Sequence, residues 1–358
     1  MGIECPPVYA EHLAIAPTVP STLFVCLQDK IFKSTDGGMS WTVLYDGPNT
    51  PVSIWIDPTT LTTLYASTDG SFLKSTDGGS KWVALNTGLD YNQTPVTSLA
   101  IDPTVPTTLY LGTNGHGLLK STDGGKSWTA MSRDRSLSSQ SSIPPLLQEK
   151  GYYGYNQTSE NHTSFFDPAP MTLSLMHDPL ALTTLYAGTR AKGVLKSTDG
   201  GKSWTPMNEG WHGDGIDVLH LAIASTTPAT FYAIASISLF KRTNDTARWI
   251  PTDNGLPPYG ITALTIDPKE PTTLYVVISL AGLYKSIDGG TSWTAINKGL
   301  PRYIESRVEG TNLYVEDVAI DPKTTTNLYA IASSNGGAAL FKSTDGGAEW
   351  IYGNLGHH

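Results

Sequence analysis

The sequence predicts an all-β protein, a seven-bladed β-propeller whose blades are four-stranded antiparallel sheets. Three observations predict this fold: one motif recurs along the 358-residue chain, each copy closes on a tryptophan, and each contains four short apolar segments. A period of roughly 40–45 residues with four strands per unit is typical of propellers. The closing tryptophans are Trp41, Trp82, Trp128, Trp204, Trp249, Trp293 and Trp350.

The four segments of a repeat follow one another in a fixed order. In the third repeat the first segment is Leu99–Ile101 and ends in Asp-Pro, the second is Thr108–Leu111, the third is Leu118–Ser121, and the fourth begins at Trp128. Pro and Gly interrupt every gap between them, which favours short turns. The segments do not alternate cleanly between apolar and polar residues. This is expected where both faces of a sheet pack against neighbouring blades.

The turn between the third and fourth segments carries the strongest motif, Ser-Thr-Asp-Gly-Gly-x-x-Trp. It is intact at Ser34–Trp41, Ser75–Trp82, Ser121–Trp128, Ser197–Trp204 and Ser343–Trp350, and Ile287 replaces the Thr in a sixth copy. The copy before Trp249 is degraded to Arg-Thr-Asn-Asp-Thr. Asp and Ser oxygens accept backbone N–H bonds within such a turn, and Gly supplies the positive φ. We therefore expect Asp36 and Asp123 to be structural, and not general acids.

These repeats predict one propeller domain over residues 1–358. We expect its blades at 10–46, 52–87, 96–131, 171–207, 218–251, 261–297 and 315–352, with an insert at 132–170 between the third and fourth. Cys5 and Cys26 permit one disulfide that would hold the N-terminal segment, but two unrelated thiols fit the sequence nearly as well. How the ring closes is left open, because no exchanged strand is visible in the repeat pattern.

Charge and hydropathy exclude several classes of partner. The 23 basic residues are outnumbered by 32 acidic ones, and no basic cluster is present, so nucleic-acid binding is not expected. No apolar run approaches the ~20 residues of a membrane helix, so membrane insertion is not expected either. Cys and His lack the spacing of a metal site, and we predict no metal and no cofactor. We expect an exported monomer, extracellular or periplasmic, whose signal peptide is absent from this sequence.

The pattern Ser-x-Asp-x-Gly-x-x-Trp resembles the Asp-box (BNR) repeat, and the resemblance extends from about residue 10 to 352. Asp boxes occur in sialidases, sortilin-type receptors, xyloglucan-hydrolysing glycosidases and photosystem II assembly propellers. The resemblance implies the propeller fold and implies that each Asp box is a structural turn, opposite the active face of those proteins. It identifies no single member of the group.

Strand direction separates the loops into two faces. The Asp-Pro turns and the Asp boxes share one face, whereas the second-to-third turns and the connections between blades share the other, which we call the loop-rich face. Variable loops on a rigid scaffold are where function usually lies. The candidate ligand-binding residues on this face are Tyr152, Tyr153, Tyr155, Arg190, Lys192, Trp211, His212, Arg302 and Tyr303.

Each candidate also has a structural interpretation that the sequence leaves open. The cluster of Tyr152, Tyr153 and Tyr155 either stacks against a ligand or packs the insert onto the blades. Trp211 likewise either stacks against a ligand or caps blade 5. His212 with Asp214 is a weak metal pattern, and Arg302, Glu305 and Arg307 can simply pair with one another. The sharper interpretation places the ligand between the 132–170 insert and the loop at 211–217.

The favoured function is a non-enzymatic binding or scaffold propeller that engages a glycan or a protein on the loop-rich face. The photosystem-assembly propellers, which are non-enzymatic and of similar length, favour it. The alternative is a glycoside hydrolase, which needs two carboxylates about 5–9.5 Å apart. Its candidates are Asp134, Asp214, Asp217 and Glu305. A sialidase fits poorly because residues 1–33 contain no arginine, and the xyloglucan-hydrolysing enzymes carry two propellers across a cleft.

Overall fold

The computed structural model of the chain describes residues 10–27, 29–85, 96–114, 117–131, 172–211, 216–244, 247–300, 314–334 and 337–353. These residues form 28 strands in seven separate four-stranded antiparallel sheets, and they contain no helix. The predicted all-β, seven-bladed propeller is therefore confirmed. No helix of the described residues could span a lipid bilayer.

Each blade is built from four consecutive strands. Blade 1 contains β1 (Ala10–Ile15), β2 (Leu23–Leu27), β3 (Lys30–Ser34) and β4 (Thr42–Asp46); blade 2 contains β5 (Pro51–Ile56), β6 (Leu64–Thr68), β7 (Phe72–Ser75) and β8 (Val83–Ala84); blade 3 contains β9 (Val96–Ile101), β10 (Leu109–Thr113), β11 (Leu118–Ser121) and β12 (Thr129–Ala130). Blade 4 contains β13 (Thr172–His177), β14 (Leu185–Thr189), β15 (Gly193–Ser197) and β16 (Thr205–Pro206).

The last three blades follow the same order. Blade 5 contains β17 (Val218–Ala224), β18 (Thr230–Ala235), β19 (Ser238–Thr243) and β20 (Ile250–Pro251); blade 6 contains β21 (Ile261–Ile266), β22 (Leu274–Ile278), β23 (Gly282–Ser286) and β24 (Thr294–Ala295); blade 7 contains β25 (Tyr314–Ile320), β26 (Leu328–Ser334), β27 (Gly337–Ser343) and β28 (Ile351–Gly353). The first strands of neighbouring blades contact one another, so they line the axis of the ring. We call them the inner strands.

Every inner strand is irregular near its start. In six sheets the pairing of the inner strand with the second strand shifts register between its first and third residues, and in blade 7 the shift lies one residue later, between Val315 and Asp317. A β-bulge of this kind leaves one residue out of the ladder and re-aims the side chains next to it. The residues that follow the bulge therefore lie at equivalent levels around the axis: His12, Ser53, Ser98, Ser174, His220, Ala263 and Asp317.

The Asp-box turns fold as the sequence predicts. In blade 1 the buried Ser34 hydroxyl donates to Asp36 Oδ1 at 2.8 Å and accepts the Gly38 N–H at 2.8 Å. Gly37 and Gly38 both have positive φ, at 71° and 90°. Hydrogen bonds from Ser40 and Ser34 lower the pKa of Asp36 to about 2. The carboxylate is therefore fully committed to its own turn, as expected for a structural residue.

The degraded copy in blade 5 keeps its shape by other means. Arg242 occupies the Ser position and is 1% exposed. Its Nη1 donates to Glu209 Oε2 at 2.7 Å, and its Nε donates to the Asn244 carbonyl at 3.2 Å. Asn244 adopts the positive φ of 62° that Gly supplies in the other copies. Asn tolerates this conformation better than most residues do.

The hydrophobic core is divided among the seven junctions between blades. Each junction holds one cluster of buried side chains, and the cluster between blades 4 and 5 includes Val218, Phe231 and Trp249. Several closing tryptophans also bond the preceding blade, as in Trp350 Nε1 to the Ile296 carbonyl at 2.8 Å. The packed indole ring and its hydrogen bond together stabilise the junction between the two blades.

A lysine also links neighbouring blades. In each third strand a Lys lies over the aromatic ring of the paired second strand, at 4.9 to 5.7 Å from the ring centroid. Lys74, Lys120, Lys241 and Lys285 donate to a glycine carbonyl in the next blade's Asp box. The acceptors are main-chain atoms, so this contact does not depend on the neighbour's side chains.

The ring closes without strand exchange, because blades 1 and 7 each contain four of their own strands. The closing seam is a packed junction in which Leu13, Val25 and Tyr329 share one cluster. Asp317 Oδ2 accepts the Leu13 N–H at 3.1 Å across the same seam. Cys26 is buried in β2, and Cys5 lies outside the described residues, so the disulfide stays a prediction.

Candidate functional site

Backbone hydrogen bonds establish which loops share a face. The Gly78 N–H donates to the Thr62 carbonyl at 2.8 Å, which joins an Asp box to an Asp-Pro turn. On the other side, the Ser236 N–H donates to the Asp217 carbonyl at 3.0 Å and the Ser279 N–H to the Gly260 carbonyl at 2.9 Å. Both bonds join a second-to-third turn to a connection between blades. The two faces are therefore as predicted.

Four of the candidate residues lie in the described part of the chain: Arg190, Lys192, Trp211 and Asp217. They lie together around the junction of blades 4 and 5 on the loop-rich face. The others lie outside the described residues, and their roles stay predictions: Tyr152, Tyr153, Tyr155, His212, Arg302 and Tyr303 as ligand contacts, and Asp134, Asp214 and Glu305 as alternative catalytic carboxylates. The 132–170 insert is outside as well.

Asp217 holds the turn after β14. Its Oδ1 accepts the Ala191 N–H at 2.9 Å, and its Oδ2 lies 3.5 Å from Arg190 Nε. Ala191 has a φ of 64°, a conformation that non-glycine residues rarely adopt, so the turn benefits from this bond. Asp217 therefore stabilises this turn, a structural role that the sequence analysis did not predict when it named Asp217 as a candidate catalytic carboxylate. Arg190 stays largely exposed, with 64% of its side chain accessible.

Trp211 is half-buried and packs between blades. Its ring stacks on Trp249, with centroids 4.7 Å apart and an interplanar angle of 3°, and meets Phe240 edge-on at 5.6 Å. One face of the indole is therefore occupied by Trp249. This geometry favours the packing interpretation of Trp211 over its use as a stacking surface for a ligand.

Trp211 belongs to a repeated loop that the sequence analysis missed. Asn208-Glu209-Gly210-Trp211 and Asn297-Lys298-Gly299-Leu300 follow the fourth strands of blades 4 and 6. Asn208 Oδ1 accepts the Val194 N–H and its Nδ2 donates to the Lys192 carbonyl, and Asn297 makes the same pair of bonds with Leu283 and Ala281. The signal was Asn-x-Gly followed by an apolar residue, recurring at one place in the repeat.

An axial mouth opens on the loop-rich face, where the inner strands begin. The residues at the bulges of these strands form its rim: Val52, Thr97, Leu173, Leu219, Thr262 and Glu316. An inner strand is covered by blades on both sides, so its exposed side chains can reach solvent only along the axis. Val52 is 39% and Leu219 46% exposed, which gives the rim an apolar character.

The floor of the axial mouth is polar, and it includes His12, His220 and Asp317. These side chains come from blades 1, 5 and 7, lie deep in the ring and are still partly reached by solvent. The Nδ1 atoms of His12 and His220 are buried and have no hydrogen-bond partner among the described residues. Buried polar atoms of native proteins are nearly always hydrogen-bonded, so we expect an ordered water or a ligand group to pair with these two nitrogens.

Burial and mutual electrostatic interactions shift the pKa values of these groups. Burial, together with the nearby His12, lowers the pKa of His220 to about 4. Burial also lowers the pKa of His12, and Asp317 opposes that effect. Burial raises the pKa of Asp317, and His12 opposes it. Blades 1 and 5 are not neighbours, so His12 and His220 interact across the axis.

A patch of exposed apolar side chains lies on the loop-rich face of blades 5 and 6. Ile237, Tyr259 and Leu280 are 63%, 47% and 44% exposed, and they belong to loops of blades 5 and 6 on the loop-rich face. Ile237 Cγ2 bounds the space beside Gly260, and the Gly260 carbonyl accepts the Ser279 N–H. We call these three residues the blade 5–6 patch. On the opposite face, exposed apolar residues such as Leu180 and Ile287 lie in different blades.

No metal centre is formed by the described side chains, since no three His, Cys, Asp or Glu residues among them are placed to hold an ion. A cavity of about 590 Å³ lies on the Asp-box side of blades 5 and 6 beside Lys241, Arg248 and Gly289. Lys241 there already donates to the Gly289 carbonyl. The axial mouth is the better candidate site because its polar atoms are unsatisfied.

No family model and no curated protein matches this chain. Among solved structures, the GH74 enzyme of Niastella koreensis is 18% identical with a TM-score of 0.70, over 96% of this chain and 54% of that one. YCF48 bound to D1 peptide is 15% identical with a TM-score of 0.58, over 85% and 82%. The extracellular domain of a two component system of B. thetaiotaomicron is 15% identical with a TM-score of 0.62, over 94% and 38%.

These similarities establish the propeller fold. The chain spans about half the length of the GH74 enzyme it matches. The similar structures include an enzyme, a peptide-bound propeller and an extracellular domain, so the fold is shared among proteins with different tasks.

Proposed function

We propose that this chain is a non-enzymatic binding propeller that holds a protein ligand against the axial mouth and the blade 5–6 patch. The observation that carries the proposal is the cluster of exposed apolar side chains on the loop-rich face, where Ile237, Tyr259 and Leu280 lie in loops that meet at Gly260. Contiguous exposed apolar patches rimmed by polar residues are characteristic of protein interaction sites. YCF48, a propeller of similar fold, was solved with a peptide bound.

A protein fits the described surface better than a glycan. Sugar recognition relies on exposed aromatic rings, and on the described loop-rich face Trp211 stacks on Trp249 while Tyr259 stays available. Aliphatic side chains such as Ile237 and Leu280 bind apolar side chains of a peptide or protein instead. A glycan ligand depends on Tyr152, Tyr153 and Tyr155, and it stays the second form of the binding hypothesis. We propose an exported protein, which the similar extracellular domain supports.

The glycoside hydrolase alternative has less support among the described residues. Its one described candidate, Asp217, is bonded to the Ala191 N–H and paired with Arg190. A panel of chromogenic glycosides tests this alternative directly, and turnover of any member would favour it over the binding proposal.

The binding proposal is tested by selecting ligands from a phage-displayed peptide library on the purified full chain. Ile237→Asp and Leu280→Asp should each weaken binding of the selected peptides at least about tenfold, because a carboxylate replaces an exposed apolar contact. The matched controls are Leu180→Asp and Ile287→Asp, which make the same change at residues 72% and 69% exposed on the opposite face. Equal effects of both pairs would overturn the assignment of the face.

A further inference from the structure

We infer that the axial mouth is a binding site for a basic group, the ammonium or guanidinium tip of a partner's lysine or arginine side chain. This inference rests on the proposed function, because the partner lies on the same face. It adds the chemistry of the group that enters the channel. The site is formed by His12, His220 and Asp317, which come from three different blades.

The first step is the charge of the channel. The seven inner strands contain no Lys and no Arg, whereas β25 carries Glu316 and Asp317. The two imidazoles at the floor are neutral at pH 7, because burial lowers the pKa of both His12 and His220. Burial raises the pKa of Asp317 and His12 opposes that effect, and the ionised form of Asp317 complements a cation and repels a carboxylate or phosphate.

The second step is the hydrogen-bonding capacity of the floor. A neutral imidazole has one N–H donor and one lone-pair acceptor, and a carboxylate offers only acceptors. The Nδ1 atoms of His12 and His220 are buried without a partner, and Ser98 Oγ at the same level is unpartnered too. An ammonium group has three donors and no acceptor, so it can use Asp317 and both imidazoles together.

The third step is the choice between an organic cation and a metal. No three His or carboxylate groups among the described residues are placed to hold a metal ion. Hydrogen bonds of an ammonium span about 2.7–3.2 Å between heavy atoms, longer than metal–ligand bonds of roughly 2.0–2.2 Å. A group on a flexible apolar stem also suits the rim, where Val52 and Leu219 would contact the methylene groups.

The test uses a small probe on the full chain. N-acetyl-lysine methylamide is titrated by calorimetry, with N-acetyl-norleucine methylamide as the control of equal stem and no charge. We expect the lysine probe to bind with Kd of about 1 mM and the norleucine probe to bind undetectably. Affinity should rise with pH as Asp317 ionises and the imidazoles lose protons. If both probes bind alike, or neither binds, the channel holds only water and the inference is wrong.

Variants locate the site. Asp317→Asn keeps an oxygen for one of the two N–H groups that the carboxylate accepts, from Leu13 and Val318, and should weaken the lysine probe at least about tenfold. His220→Gln provides a second test, because His220 Nδ1 makes no bond that the substitution removes. Asp217→Asn is the control, an acidic residue of the same face that lies in the connection between blades 4 and 5 and not at the axial floor. Unchanged affinity in both Asp317→Asn and His220→Gln would overturn the assignment.

The outcomes separate this inference from the proposed function. If binding of the selected peptides depends on Ile237 and Leu280 but the lysine probe does not bind, the proposed binding face is supported and the axial site for a basic group is refuted. If the probe binds through Asp317 but the patch variants bind peptides normally, the axial site stands and the patch is wrong.

Discussion

Acid should destabilise the ring in a pH range set by the histidines of the axial floor. The pKa of His220 is lowered from 6.5 to about 4 by burial and by His12. Between these values the unfolded chain binds a proton that the folded chain does not. The stabilising free energy is therefore lost as pH falls through 6.5 toward 4. One pKa unit corresponds to about 1.36 kcal/mol, so His220 alone should cost about 2 kcal/mol at pH 5 relative to pH 7.5.

The substitution His220→Gln isolates this effect, because Gln does not titrate. Chemical denaturation of the parent and the variant at pH 7.5 and pH 5 gives four unfolding free energies. The difference between parent and variant should change by about 2 kcal/mol between the two pH values, in favour of the variant at pH 5. Burial raises the pKa of Asp317, which acts with the opposite sign, but Asp317 is present in both proteins and cancels.

A control and a refuting result follow from the same measurement. Leu219→Gln changes the exposed neighbour of His220 and should shift stability equally at both pH values. The Asp-box carboxylates act in a separate range, since hydrogen bonds hold the pKa of Asp36 and Asp288 at about 2, and their contribution is lost only below pH 3.8. A parent-to-variant difference that is the same at pH 5 and pH 7.5 would show that His220 is not a buried neutral imidazole.

Three further predictions concern the repeated loops. Trp211→Leu should be tolerated because Leu300 fills the equivalent position in blade 6, whereas Trp211→Ala should cost about 3 kcal/mol by leaving a cavity; denaturant melts separate the two. Asp123→Ala should lower the melting temperature and leave peptide binding unchanged, since the residue lies in an Asp box on the opposite face; lost binding with unchanged melting would reverse its assignment. Asn208→Ala should cost about 1–2 kcal/mol, because the Val194 N–H loses its acceptor, and hydrogen exchange at Val194 should rise; no change in exchange would contradict the hydrogen bond.

The repeat made most of the fold predictable. Each strand is bounded by residues with a local reason to turn, such as the Gly pair after Ser34, and seven copies reinforce one another. In blade 5, for example, the described strands begin at Val218 and end at Pro251. The sequence showed that the Asp-box copy at Arg242 is degraded, but it did not show that Arg242 stabilises this turn through a bond to Glu209. The bond from Arg242 to Glu209 joins residues 33 positions apart, in different blades.

The candidate site was less predictable, for a physical reason. Sequence analysis directed attention to variable loops, where Arg190 and Asp217 do lie together on the predicted face. The axial floor escaped because His12 and His220 each look like an isolated polar residue in an apolar strand. Their relation depends on the closure of the ring, which brings strands more than 200 residues apart to one axis. Only an alignment of the residues that follow the bulge in every inner strand could have indicated the polar floor of the axial mouth.

The lysine contact between blades has a consequence for the evolution of the molecule. Lys74, Lys120, Lys241 and Lys285 bond the next blade through a glycine carbonyl, an atom that every intact Asp box presents. This contact therefore forms between any two blades without a matching substitution in the neighbouring blade, because the acceptor is a main-chain atom. Duplication or exchange of whole blades preserves these contacts, whereas the residues of the inner strands, which differ from blade to blade, are free to diversify. The contacts between blades therefore stay the same when blades are duplicated, while the side chains that line the axis differ from blade to blade.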